Sequence, residues 1–292
     1  MKQVGFFKAL YGTCCGTAIF FDLRYNRMWR VFWHLFLLSF FCAVAISFMQ
    51  FKQIEPRIRT VADGFFATFG GICATEKMII PLSNPGQPRN FDFLLNEGKI
   101  YYMPFAAEGV NIPDRELQLL KIGVIWLPQK VFYFAREPKS DFWQVGSSAL
   151  DSRRYSTAEL KQYLADLKTD NVPKAADNVA ILTHEEGLKI LSIFLAAFLL
   201  AGNFIMLFGV AIFYTVVFAT IFRLTGGSRM QSLTFVGFWK VGIYAGFPAM
   251  IFAGFFPALE LPFFSYSTIY MIGLMVYWLI VANRIERANV GS

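Results

Sequence analysis

The side chains of this chain that could do chemistry are few and scattered. There are two histidines and four cysteines. His184 opens the run Thr183-His-Glu-Glu186, which invites a metal or acid–base reading. A zinc-protease helix needs a second histidine four residues on, and none follows. The run therefore reads as a helix start, with Thr183 capping, Glu186 reaching back and acids at the positive end. His34 sits in an apolar run, where it reads as a snorkelling or interhelical hydrogen-bonding group. Cys14 and Cys15 are adjacent, Cys42 lies in an apolar run and Cys73 stands alone. Zinc prefers paired Cys or His at short spacing, so these read as small buried or interfacial thiols without an intrachain disulfide. Acylation of the pair is the weaker alternative. Gly70-Gly71 and Gly226-Gly227 are too short for a phosphate loop, and no Gly-x-Ser-x-Gly elbow occurs. No catalytic residue, cofactor-binding residue or metal ligand is assigned, no cofactor is expected, and the chain reads as a non-enzyme. Two polar groups remain inside long apolar runs, Asn203 and Lys240. Asn203 reads either as an interhelical hydrogen-bonding group or as part of a pore or substrate site. Lys240 is close enough to a span end to snorkel.

The elements that must position these groups follow from composition. Of 292 residues, 56% are hydrophobic and only 16% charged, and mean hydropathy is +0.47. A soluble domain carries about 25% charge, so a disordered chain and an ordinary cytosolic enzyme are set aside. A spanning helix needs about 20 apolar residues. Four stretches qualify: 31–51, Ile190–Phe222, 233–256 and 261–283. The second is about 50 Å long at 1.5 Å per residue, longer than the bilayer core. It reads as one long helix over 184–222 that tilts, projects beyond the membrane or breaks near Gly202 and Asn203. Two separate spans there would violate the charge rule below. Ala43-Val-Ala45 resembles a signal cleavage site, but about 30 residues precede the apolar run, which favours an uncleaved anchor.

Charge sets the orientation. Segment 1–30 holds Lys2, Lys8, Arg24, Arg27 and Arg30 against Asp22. The 223–232 loop holds Arg223 and Arg229, with Lys240 just inside the next span. The 284–292 tail holds Arg284 and Arg287 against Glu286. Residues 52–188 are nearly neutral, with 16 basic and 17 acidic residues. The net charge of +7 and pI of about 9.2 thus come from one side of the membrane. This places both termini in the cytoplasm and residues 52–188 outside it. The basic residues hold topology and meet anionic lipid; nucleic acid is not an expected partner.

The 52–183 segment alternates short apolar runs with turn signals and predicts a small α+β domain. Strands are expected at Met78–Leu82, Phe91–Leu95, Lys99–Met103, Leu120–Leu127 and Lys130–Ala135, with hairpin turns at Asn96-Glu-Gly98 and Pro128-Gln129. Ser156-Thr-Ala-Glu159 predicts a capped helix to about Lys168, and Asp170–Asp177 a linker. In segment 1–30, Phe6, Phe7, Leu10 and Tyr11 share a helical face. That suits interfacial helices or an extension of the first span packed on its neighbours. In the third span, Gly242 and Gly246 form a small-xxx-small step for close helix packing, and Pro248 should kink the helix.

Several stretches resemble a bacterial four-span membrane family catalogued as a domain of unknown function, some of whose members are labelled maltodextrin-utilisation membrane proteins. They are Phe7-Lys-Ala-Leu-Tyr11, Leu35–Ser39, Gly123–Tyr133, Tyr155-Ser-Thr-Ala-Glu-Leu160, and Phe235–Pro248 with Lys240, Ile243-Tyr244-Ala245 and Pro248. The resemblance implies an inner-membrane location and a carbohydrate-related context, with no activity to transfer. The expectation is thus an α-helical polytopic membrane protein with four transmembrane helices and a small α+β extracytoplasmic domain inserted between spans one and two. That domain would bind an envelope protein or a small ligand, and the long helix would couple it to the cytoplasmic face. The alternative is an accessory or permease-like component of a carbohydrate transport system, and homo- or hetero-oligomers fit either reading.

Overall fold

The computed structural model describes residues 3–75, 78–94, 97–105, 109–138, 140–147, 151–167, 180–225, 234–255 and 265–290. In chain order the elements are α1 (Phe6–Cys15), α2 (Phe20–Leu23), α3 (Met28–Phe69), β1 (Ile72–Ala74), β2 (Ile79–Pro81), β3 (Arg89–Phe93), β4 (Gly98–Tyr102), α4 (Asp114–Leu119), β5 (Ile122–Leu127), β6 (Lys130–Arg136), β7 (Phe142–Gly146), β8 (Arg153–Ser156), α5 (Thr157–Ala165), β9 (Ala180–Leu182), α6 (His184–Thr225), α7 (Phe235–Phe255) and α8 (Tyr266–Val290). Four of these, α3, α6, α7 and α8, are long and apolar enough to cross a membrane. The chain divides into two compact units, one of residues 1–54 and 193–292, the other of residues 55–192.

The first unit is helical. Small residues bring its elements together: α1 buries Ala9 and Thr13, and α6 buries Leu207, Ala211, Thr215 and Ala219, each one turn from the next. On α7, almost every residue from Val241 to Met250 is buried. The two glycines there do not bring backbones together. A Cβ on Gly242 would collide with the Trp278 ring, and one on Gly246 with the Tyr270 hydroxyl. The small-xxx-small step is therefore a pair of slots for two aromatic rings of α8. Pro248 lies inside α7.

The second unit holds two sheets. One is three-stranded in the order β2-β1-β9; the other is six-stranded in the order β3-β4-β5-β6-β7-β8. All pairs are antiparallel except β4 with β5. Parallel neighbours need a crossover, and α4 lies on it. Side chains alternate across a strand, so each central strand feeds two cores. Tyr101 and Ile125, paired in register, enter a core closed by Leu117 of α4 and Leu160 and Leu164 of α5. The next pair, Tyr102 and Trp126, faces the other way and meets Phe69 and Phe65 of α3.

Several boundaries differ from the sequence reading. The apolar run of the first span ends at Phe51, but the helix that carries it does not. The helix continues to Phe69 through Pro56, because Phe65 and Phe69 are needed as one cover of the six-stranded sheet. The strand expected from Leu120 starts at Ile122, because α4 ends just before it and Leu120 is its C-cap. The strand expected from Lys99 to Met103 is Gly98–Tyr102. Of its turn with β3, Asn96 lies outside the described residues, as does the 170–177 linker. Helix α6 is continuous through Gly202 and Asn203.

Both helix starts carry reciprocal caps. The Glu159 carboxylate accepts from the Ser156 N–H at 2.7 Å, and the Ser156 hydroxyl accepts from the Glu159 N–H at 3.4 Å. At α6, Glu186 accepts from the Thr183 N–H at 3.2 Å and its own N–H points to the Thr183 hydroxyl at 3.5 Å. The cap holds the Glu159 carboxyl below the usual carboxylate range through its backbone and hydroxyl bonds from Ser156. Ser156→Ala is expected to destabilise the 55–192 unit by about 1 kcal/mol. Urea titration of the full chain, with Trp143 kept and the other five tryptophans replaced by Phe so that fluorescence reports on this unit, checks this. An unchanged midpoint would show that the cap contributes nothing.

Candidate functional site

The sheet unit carries an open cleft on the side closed by α4 and α5. One lobe, of about 80 Å³, is lined by Asp114, Leu117, Gln118, Arg136, Trp143, Thr157 and Lys161. A shallower lobe of about 590 Å³ shares Gln118 and Arg136 and extends along the β6–β7 turn to Asp141. Arg136 organises the floor. Its guanidinium pairs with Asp141 at 2.7 Å, donates to the Gln118 and Ser140 carbonyls at 3.3 Å, and lies over the Trp143 ring. Trp143 Nε1 donates to the Thr157 hydroxyl at 3.1 Å, and that hydroxyl donates to the Asp141 carbonyl at 3.2 Å. Lys161 pairs with Asp114 across the mouth. Only the larger lobe is in the range of small-ligand pockets, and the lining offers both signs of charge in fixed positions.

Behind α4 lies a second charged group. Lys99 Nζ is 2.5 Å from Glu116 and 3.5 Å from Asp92. Burial opposes its charge, but the two carboxylates outweigh burial and hold the ammonium above its ordinary pKa. Burial first, then the same carboxylates, push the Tyr101 phenol far above its ordinary range. The ammonium ties β4 to Glu116 of α4, and neither group so firmly protonated is a good base.

In the helical unit Asn203 is used for helix packing. Asn203 donates both amide hydrogens to α3, to the Ser47 hydroxyl at 2.9 Å and the Gln50 carbonyl at 2.8 Å. Lys240 is half-buried on α7, beside Trp239, whose Nε1 donates to Thr215 at 3.1 Å. Neither residue meets the other. His34 is fixed at Nδ1 by the Tyr244 hydroxyl, 2.9 Å away. That hydroxyl also accepts from Asn26 Nδ2 at 2.8 Å. Asn26, fully buried, clasps the backbone of Val4, accepting from its N–H at 2.9 Å and donating to its carbonyl at 3.3 Å. With Nδ1 accepting from Tyr244, the ring proton is assigned to Nε2, and each link from Val4 through Asn26 and Tyr244 to Nδ1 pairs a donor with an acceptor. Sequence reasoning singled out His34 but missed Asn26. A lone asparagine before a helix carries no periodic signal that it is a clasp rather than a cap.

His184 takes a partner the sequence did not suggest. Its Nε2 lies 2.7 Å from Asp63 Oδ1, and its ring meets Phe66 edge-on at 5.1 Å. Among the described residues no group of three His, Cys, Asp or Glu side chains could hold a metal ion. All four cysteines are free thiols. Burial raises Cys14 above its ordinary pKa, which lowers its thiolate fraction.

The basic residues read as topology markers take varied places. Arg24 lies over the Tyr25 ring and donates to its hydroxyl at 2.6 Å. Arg27 is exposed and Arg30 half-buried. Arg223 lies over Phe235, and Arg284 donates to the Thr17 hydroxyl at 2.5 Å. Arg229 and the side chain of Arg287 lie outside the described residues. No family model matches this sequence, and no curated protein or solved structure matches it either.

Proposed function

We propose that this chain is a multi-pass protein of the bacterial cytoplasmic membrane that displays its sheet unit on the outside as a recognition module. Both termini then lie in the cytoplasm. The module binds an envelope protein or a small polar ligand at the Arg136 cleft, and its occupancy is passed to the membrane helices. One observation carries the coupling. The chain passes between its two compact units twice, at 54/55 and at 192/193, and both passages fall inside a continuous helix, α3 and α6. A helical passage transmits rotation and strain that a Gly/Ser linker would absorb. The orientation rests on the basic excess confined to residues 1–30, 223–232 and 284–292.

The test is impermeant maleimide labelling of intact cells, with Cys14, Cys15, Cys42 and Cys73 replaced. Ser140→Cys is expected to label and Ser228→Cys to stay protected until the cells are opened. Labelling at 228 in intact cells would overturn the orientation. Coupling is read from unfolding of the purified chain. Two glycines inserted after Gly202 are expected to split one cooperative transition into two. A single unchanged transition in the insertion variant would remove the role given to α6.

A further inference from the structure

The charged groups of the Arg136 cleft are arranged in a way that selects a ligand. A guanidinium has five N–H donors. Arg136 uses three of them within the fold: Nε on the Ser140 carbonyl and Nη1 on the Gln118 carbonyl, both at 3.3 Å, and Nη2 on Asp141 Oδ1 at 2.7 Å. One hydrogen on each Nη is left without a partner among the described residues. The side chain lines both lobes and is 33% exposed, so a ligand can reach it. Two N–H groups on the paired nitrogens of a planar fork match the two oxygens of a carboxylate. The fork is also set in place before any ligand arrives. The Trp143 ring lies against the guanidinium at 5.9 Å. Its N–H holds the Thr157 hydroxyl, which donates to the Asp141 carbonyl. One buried indole thus positions both the cation and the acid beside it, and little side-chain freedom remains to be lost on binding.

Asp141 supplies the other half of the site. Its Oδ1 is taken by Arg136, while Oδ2 has no partner among the described residues and the side chain is 89% exposed. A carboxylate on the fork would lie beside this free oxygen, and two anions so close repel. A cation carried by the ligand itself, set between them, turns the repulsion into attraction. The charge of the lining argues the same way. Asp114, Glu137 and Asp141 stand against Lys121, Arg136 and Lys161, so a lone anion or a lone cation unbalances the cleft and a zwitterion does not. The 2.7 Å contact between Nη2 and Oδ1 places the two recognition groups side by side. A ligand with its ammonium one carbon from its carboxylate reaches both. Beyond them the larger lobe passes Pro138 and Leu119, which is 73% exposed, and offers an apolar surface to the rest of the molecule. A sugar finds no ring to lie on, because Trp143, the one aromatic residue among the described lining, is buried.

We propose that the Arg136 cleft binds a free α-amino acid with an apolar side chain, its carboxylate on the two remaining Nη hydrogens and its ammonium on Asp141 Oδ2. This rests on the reading of the cleft as a recognition site. The test is isothermal titration of the full chain in lipid nanodiscs with L-leucine, L-valine and L-phenylalanine. At least one is expected to bind. The N-acetyl form of the tightest, which has no ammonium, and its decarboxylated amine should each bind about 10-fold or more weakly, since each loses a hydrogen-bonded charge. Asp141→Asn keeps the fork. It should weaken the amino acid about 10-fold and leave the N-acetyl form as tight as before or tighter. Arg136→Lys should weaken both, and if that variant fails to fold, Asp141→Asn decides alone. No binding of any of the three amino acids, an N-acetyl form as tight as its parent, or equal weakening of both by Asp141→Asn would each overturn the proposal. Maltotriose, an uncharged polar probe, separates this from the parent reading. If it binds and the amino acids do not, the proposal falls and the recognition site stands. If neither binds, the small-ligand reading of the cleft falls as well.

Discussion

Asn26→Leu is expected to lower the unfolding temperature of the full chain by roughly 10 °C and to release its N-terminal segment. The side chain is fully buried and makes three hydrogen bonds, two to the backbone of Val4 and one to the Tyr244 hydroxyl. Leucine keeps its branched outline, adds bulk and removes all three. The Val4 N–H and carbonyl and the Tyr244 hydroxyl then lose their common partner in an apolar surrounding. Each buried polar group left unsatisfied costs about 1–3 kcal/mol, so a total of about 4 kcal/mol follows, and about 2–4 °C per kcal/mol for a chain of this size. Tyr244→Phe should cost less, about 1–2 kcal/mol, because it takes away a single hydroxyl and leaves the clasp on Val4 intact. The second readout is local. Val4 is buried, so Val4→Cys should react slowly with maleimide in the parent and about 10-fold faster beside Asn26→Leu, as expected for a segment opened on its own. A melting temperature within about 1 °C of the parent together with a protected residue 4 would show that the clasp holds nothing.

That clasp also marks the limit of what the sequence could disclose. The four spans were legible because an apolar run long enough to cross lipid seldom serves another purpose. Both capping boxes were legible because Ser156/Glu159 and Thr183/Glu186 are local, three residues apart. What failed was non-local. That the helix of the first span continues past Phe51, through Lys52, Glu55, Pro56 and Arg57, to Phe69 was not expected. The reason lies some 60 residues away, where Trp126 needs a cover on its face of the sheet. Strand β5 was expected too early, because Leu120 is as apolar as the strand itself. A strand buried on both faces reads as a continuous run rather than an alternation, so nothing in Leu120–Leu127 separates a helix cap from a strand start. Strands β1, β7, β8 and β9 were not expected at all. Three of them have three or four residues, too short for a period to show.

The glycines of α7 allow a test in which the sign of the effect is as informative as its size. In a small-xxx-small step that joins backbones, the partner helix offers its own small residues, and any side chain at Gly242 would be resisted by main chain. Here the resistance comes from a ring, since the Trp278 indole occupies the space a Cβ at Gly242 would fill. Gly242→Val is therefore expected to cost about 3 kcal/mol by overpacking, and Trp278→Leu about 3 kcal/mol by the cavity it leaves. Part of the second loss is offset, because the Trp278 indole N–H is buried without a partner and leaves with the ring. The two changes are complementary in volume, so the double variant should be less destabilised than the sum by about 2 kcal/mol, the size of coupling seen for residues in contact. Gly209→Ala is the control. Nothing lies within 4 Å of its added methyl, and helix propensity alone should make it neutral or stabilising by up to about 1 kcal/mol. Unfolding in mild detergent, followed by tryptophan fluorescence and circular dichroism, measures all four proteins. Strict additivity of Gly242→Val and Trp278→Leu would mean that the ring does not sit in the slot. The α7–α8 hairpin would then be held by backbone contact, as the glycine spacing alone suggests.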